Sequence, residues 1–203
     1  MLVNGSPNAK GNTFTALNEM KTVFEQEGIE AEILHVGNKD IRGCIACRKC
    51  KQTGKCVFND IVNETAHMLE ECDGIVIGSP VYYASANATL MAYVTRLFYS
   101  TPHINKRMKV GASVCSARRG GLSATYDEMN KFFGISGMPI ASGQYWNSVH
   151  GAAPGQAAED VEGMQGMRTL ARNMSFLMKS IALGKEQIGL PETEPITFMN
   201  FIR

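Results

Sequence analysis

Short apolar runs rich in Val and Ile alternate along this chain with longer amphipathic stretches, and that alternation restricts its fold more than any other feature. Buried parallel strands read as brief apolar runs, and helices as apolar residues at three- and four-residue steps. A regular exchange between the two is the pattern of a parallel sheet with helical crossovers. The strand candidates are 2–4, 31–36, 74–78, 109–115 and 139–144, and the helix candidates between them are 13–27, 63–71, 89–99 and 124–133. Gly28 and Gly134 stand where C-terminal caps belong, and Asp60 is placed to cap the second helix. A fifth helix is expected over 159–183, where Val161, Met164, Met167, Leu170, Met174, Leu177 and Ile181 recur at helical steps. Together these predict an α/β fold with a doubly wound five-stranded parallel sheet flanked by helices.

With 203 residues the chain is long enough to hide most of its apolar surface without a disulfide scaffold. Residues 1–203 are expected to form one domain, since there is no internal repeat, low-complexity segment or linker. The loop 145–156 and the tail 184–203 admit two readings, a surface excursion or a cover for a neighbouring subunit. Twenty Lys and Arg against nineteen Asp and Glu argue against a nucleic-acid binder. No apolar run approaches the length of a membrane helix, and the first seven residues lack the features of a signal peptide. The expected location is cytoplasmic, with neither membrane nor nucleic acid as a partner.

Three loops fall at the carboxyl edge of such a sheet, where doubly wound folds bind ligands. The first strand runs into Gly5-Ser6-Pro7-Asn8-Ala9-Lys10-Gly11-Asn12-Thr13 and then a helix, a turn whose backbone amides could converge on a phosphate. Neither the Walker nor the dinucleotide fingerprint fits it, which points to a mononucleotide such as FMN; an ordinary turn capped by Asn12 or Thr13 is the plain alternative. The third strand ends in Gly78-Ser79-Pro80-Val81-Tyr82-Tyr83-Ala84-Ser85, and the fourth in Ser116-Ala117-Arg118-Arg119-Gly120-Gly121.

Taken together, these segments resemble the NADPH-dependent FMN reductase family of flavodoxin-like proteins over about residues 1–145. The resemblance implies strand order 2-1-3-4-5. It implies that Ser6, Asn8, Asn12 and Thr13 hold the FMN phosphate, that Pro80, Val81, Tyr82, Tyr83 and Ala84 border the flavin ring, and that Ser116, Arg119, Gly120 and Gly121 close over its other edge. Asn8 stands where the family often has Arg, leaving Lys10 or the backbone to meet the phosphate charge. The first strand is also short for the family.

Four of the six cysteines, Cys44, Cys47, Cys50 and Cys56, form C-x2-C-x2-C-x5-C on an insert spanning about 42–58. In a reducing compartment such bunching suggests metal or redox chemistry before disulfides. Gly54 would permit the last cysteine to turn back. The spacing differs from the common ferredoxin run and from the paired cysteines of zinc sites. It resembles the compact motif of the iron-sulfur flavoproteins, which implies a 4Fe-4S cluster held by these four residues. Free thiols, a disulfide or zinc are the other readings. Cys72 and Cys115 fall in helix and strand patterns, as core residues would. Arg42, Arg48, Lys49, Lys51 and Lys55 make the insert wholly basic, suited to compensating a cluster's charge or docking an acidic carrier, or simply solvated.

Hydride transfer to a flavin needs stacking and distance more than a protein acid or base, so no catalytic side chain is expected. Arg118 or Arg119 could face reduced flavin or a nicotinamide phosphate. Three functions follow: an iron-sulfur flavoprotein moving electrons between a nicotinamide (NAD(P)H) or ferredoxin-type donor and an acceptor; a simple NAD(P)H-dependent flavin, quinone or nitro reductase; or a non-catalytic flavin electron carrier. The family resemblance, the Met-rich last helix and the apolar stretch 196–202 also lead us to expect a homodimer or homotetramer.

Overall fold

Six strands form in a computed structural model of the chain, which describes residues 1–199 and Phe201: β1 (Leu2–Asn4), β2 (Ile33–His35), β3 (Gly74–Tyr82), β4 (Ser85–Ala86), β5 (Val110–Ala117) and β6 (Ser148–His150). The helices are α1 (Asn12–Gln26), α2 (Cys50–Thr53), α3 (Ile61–Glu64), α4 (Ala66–Glu71), α5 (Ala88–Ser100), α6 (Leu122–Ile135) and α7 (Val161–Ile188), with a 3-10 turn at Gln156–Glu159 before the last. The sheet runs β2-β1-β3-β5-β6 with every one of these pairs parallel, which is the 2-1-3-4-5 order of a flavodoxin-like fold. Strand β4 is an addition, a two-residue antiparallel return onto the end of β3.

The two-residue period of the strands divides the core. Leu2, Val76, Val110, Ala112 and Val114 face α1 and α7, while Val3, Ile75, Ile77 and Cys115 face α5 and α6. Burial on both faces is why these strands read as continuous apolar runs.

The fifth strand lies elsewhere than the sequence pattern suggests. Residues 139–144 contribute a single bridge, Gly111 to Ile140, and the paired strand is Ser148–His150, inside the stretch expected to be loop. Pro139 brings no amide to a ladder, and after Ala141 the chain leaves the sheet. Asn173 Nδ2 and Thr169 Oγ1 on α7 hold Ser142 O and Gln144 Oε1, and the chain rejoins β5 where Asn147 O accepts from Cys115 N.

Three smaller differences concern helices. Residues 61–71 form two pieces, because Thr65 at the break donates to Ile61 O and also pairs with the Tyr93 hydroxyl. Gly134 lies inside α6, and the left-handed residue beyond that helix is Gly137. Helix α7 runs five residues past the expected end, to Ile188. Of the apolar stretch 196–202, residues 200 and 202 lie outside the described residues, whereas Ile196, Phe198, Met199 and Phe201 are exposed. Among the described residues no helix is long and apolar enough to cross a membrane.

Candidate functional site

At the carboxyl edge the loops after β1, β3 and β5 are tied to one another. Asn87 Nδ2 donates to Gly5 O at 2.6 Å and Asn87 N to Ser79 Oγ at 2.9 Å, joining the first loop to the second. Thr13 and Ser116 share a hydroxyl hydrogen bond at 2.8 Å, joining the first to the third. Gly121, at φ 90°, packs so closely that a β-carbon would stand 2.9 Å from Ala84 Cα, joining the third to the second. These contacts place the phosphate-loop, ring-border and ring-closing candidates around one edge.

The first loop is wound by its own side chains. Ser6 N donates to Asn4 Oδ1, Asn8 N to Ser6 Oγ, and Lys10 N to Asn8 Oδ1. Gly11 caps α1 without any side-chain cap, so neither Asn12 nor Thr13 plays the capping part. The amides of Asn12, Thr13 and Phe14 precede the first helical bond, Thr15 N to Gly11 O, and form the positive end of a 15-residue helix. Asn12 Oδ1 accepts from Ala157 N, which ties this turn to the segment before α7. Ser6, Thr13 and Ser116 are buried, whereas Asn8, Lys10, Arg118, Arg119 and Gly120 are exposed.

Beyond β3 the chain makes a tight return with Tyr83 and Ala84 at positive φ, 53° and 60°. Non-glycine residues hold this conformation only when their surroundings fix it. Here Glu128 on α6 does so, its Oε2 accepting from Ser85 Oγ at 2.8 Å and Ala86 N at 2.9 Å. Tyr82 and Tyr83 stand exposed at the rim.

The cysteine insert packs against the C-terminal half of α5, at Arg96, Tyr99 and Ser100. Cys44, Cys47, Cys50 and Cys56 all line one small hollow, with Arg48, Phe58, Arg96 and Tyr99 among the other residues of its wall. Ala46 and Arg48, between successive cysteines, are also left-handed, at φ 53° and 58°, and Gly54 closes α2 at φ 67°. Four of the five non-glycine residues at positive φ among those described therefore belong to this insert or to the return after β3. Among the described residues no three His, Cys, Asp or Glu side chains converge as ligands of one metal ion would. Four cysteine sulfurs are the donor type that an iron-sulfur cluster takes. Cys115 is fully buried, its thiol pushed up to about 12 by burial; Cys72 is half-buried, its thiol also raised by burial.

Sequence reasoning missed Asn4, Asn87, Arg96 and Glu128, as well as Gly37, against which Ser6 packs. Asn4 works within its own loop, whereas the others meet partners far away in the chain, and only the Asn-before-helix pattern at Asn87 left a local signal.

A model of the NADPH-dependent FMN reductase family matches residues 1–153. The chain belongs to that family. It is accordingly a flavin-dependent oxidoreductase, and FMN is the cofactor that membership brings. An iron-sulfur flavoprotein of Methanocaldococcus jannaschii is 32% identical over 186 residues, covering 88% of this chain and 96% of the relative. One from Methanosarcina thermophila is 26% identical over 194 residues, covering 91% and 97%. Among solved structures, an NAD(P)H:quinone oxidoreductase from Methanothermobacter marburgensis superposes with TM-score 0.60 at 15% identity, covering 85% of this chain and 94% of its own. A flavodoxin from the domain Archaea gives 0.59 at 14%, covering 88% and 96%. These two likenesses concern the fold.

Proposed function

We propose that this family member is an iron-sulfur flavoprotein, an FMN-dependent oxidoreductase that moves electrons between a nicotinamide or ferredoxin-type donor and an acceptor. One observation carries the reading: the four cysteines of C-x2-C-x2-C-x5-C line a single hollow braced by the same helix whose N-terminus holds the flavin loops. The names of the relatives support it.

When bound, FMN supplies exchange between two-electron and one-electron chemistry, and a 4Fe-4S cluster supplies one-electron transfer. The chain provides the rest. Ser6 and Thr13, Asn12 Nδ2 and the first amides of α1 are positioned to take a phosphate, with Asn8 and Lys10 at its exposed side. Residues 80–84 border the ring on one side, while Ser116 and the Arg119-Gly120-Gly121 turn border it on the other. Cys44, Cys47, Cys50 and Cys56 are the ligands, and Arg42, Arg48, Lys49, Lys51 and Lys55 around them offset cluster charge and offer a docking face to an acidic carrier. Asn87 and Arg96 stand nine residue steps apart, about 13 Å at 1.5 Å per residue, so α5 spans from the flavin loops to the cysteine insert.

Exposed Phe176, Leu183, Ile188, Ile196 and Phe198 support a homodimer or homotetramer. The six cysteines, none of them paired in a disulfide, support a reducing, cytoplasmic setting.

Replacing Cys47 by Ser tests the reading against a cluster-free reductase. Transfer from NAD(P)H to a one-electron carrier should fall at least tenfold while FMN content stays the same. Quinone turnover and carrier reduction that both match the wild type would instead assign the cysteines a structural part.

A further inference from the structure

Arg96 is an anomaly in α5. Its neighbours Tyr93, Val94 and Leu97 are apolar core, yet this charged side chain is buried with them, only 1% of it exposed. A buried arginine is tolerated only when its donors are satisfied and its charge is paired. Asp60 meets the charge, with Nη1 to Oδ2 at 2.6 Å and Nη2 to Oδ1 at 2.9 Å. A carboxylate accounts for two donors, and the rest go to the cysteine insert. Nε and Nη2 each reach Cys56 Sγ at 3.2 Å, Nη1 reaches Arg42 O at 3.1 Å and Nη2 reaches Phe58 O at 3.4 Å. The guanidinium also lies 5.0 Å from the Phe58 ring centre, with Arg42 at 5.4 Å from that ring.

One side chain thus fastens the insert at both ends, through the carbonyls of residues 42 and 58. It also fixes the sulfur of the one cysteine outside the compact triplet. We infer that Arg96 is a positioning residue for the iron-sulfur centre: it presets Cys56 and, through two N–H donors to that sulfur, stabilises the reduced cluster. Hydrogen bonds to ligand sulfurs raise a cluster's potential. Because Asp60 neutralises the guanidinium, the sulfur receives donors without a net charge beside it. The inference rests on the cluster reading above.

The two partners give variants of opposite sign. Arg96→Lys keeps the charge, but one ammonium cannot serve both the carboxylate and the sulfur in the same geometry. Asp60→Asn keeps an oxygen able to accept from Val62 N, so the cap of α3 survives, and leaves the guanidinium uncompensated. The holoproteins are purified anaerobically; iron and sulfide per FMN, melting temperature and the cluster potential by EPR-monitored titration are measured, with the FMN potential as internal control.

The inference expects R96K to lose at least half its iron per FMN and its remaining cluster to titrate at lower potential, D60N to titrate at higher potential, and the FMN potential to stay put. Lower melting temperatures with unchanged cluster potentials would overturn it, leaving Arg96 an ion pair of the fold. Should R96K fail to fold or load, D60N decides alone: a raised potential supports the inference and an unchanged one overturns it. A wild-type protein without iron and sulfide would defeat the cluster reading itself, and the role of Arg96 with it.

Discussion

A methyl group on Gly37 would stand 2.2 Å from the carbonyl oxygen of Ser6, a contact that only movement of the backbone could relieve. Gly37 lies just after β2, and His35 Nε2 meets that same carbonyl at 2.8 Å, so the end of β2 is the wall against which the loop after β1 is shaped. Gly37→Ala should therefore raise the FMN dissociation constant at least tenfold, read by flavin fluorescence, while far-ultraviolet circular dichroism keeps its helix signal. The cysteines separate at the same scale. In cluster-free native protein, iodoacetamide should modify exposed Cys44 and Cys47 first. Cys115, buried and with its thiol pushed up to about 12, should lag by about a thousandfold or more, since only the thiolate reacts. Peptide mass spectrometry over time checks the order.

Helix α5 shows how an element can serve two places. Its cap, Asn87, accepts from Thr89 N and donates to the buried Gly5 carbonyl, so one side chain begins the helix and anchors the loop after β1. Asn87→Ala should cost about 2–3 kcal/mol in urea unfolding, a lost cap plus an unsatisfied buried carbonyl. Helix α7 begins on a similar device. Asp160 accepts from Gly163 N, which caps the helix, and from His150 N, which holds the end of β6. Burial alone would raise the Asp160 carboxyl, but the two amides and the His150 charge outweigh it and leave the group below its ordinary 3.8. A carboxyl lowered on folding adds stability above its unfolded value and loses it as the pH falls through the folded one. Asp160→Asn keeps one oxygen for the cap but loses the second acceptor, and should then cost about 1 kcal/mol at neutral pH. Its deficit should shrink as urea midpoints are compared below pH 3.8, whereas a deficit constant with pH would contradict this account.

At the scale of the whole molecule, the parallel sheet and the three edge loops were legible because each is written locally. Val and Ile runs mark β3 and β5, and glycines with small polar residues mark the turns that follow. Residues joined across long separations left no such trace. Arg96 reads as one charge in an apolar helix until Asp60 and Cys56, 36 and 40 residues away, fold against it. Glu128 looks like a solvent-facing acid of α6, yet it clips the return after β3, 42 residues distant. Strand β6 escaped for another reason: three residues among Asn and Gly have no periodicity to read, and their strand character comes from pairing with β5. The cysteines are intermediate, since their spacing is local but the hollow they line needs α5.

The central claim is that one chain carries both a flavin and an iron-sulfur centre. An anaerobic visible spectrum with iron, sulfide and FMN analysis tests it most directly. The account predicts a brown protein with one FMN and about four iron and four sulfide per chain, bleaching in part on reduction. A yellow protein that holds FMN but neither iron nor sulfide would contradict it.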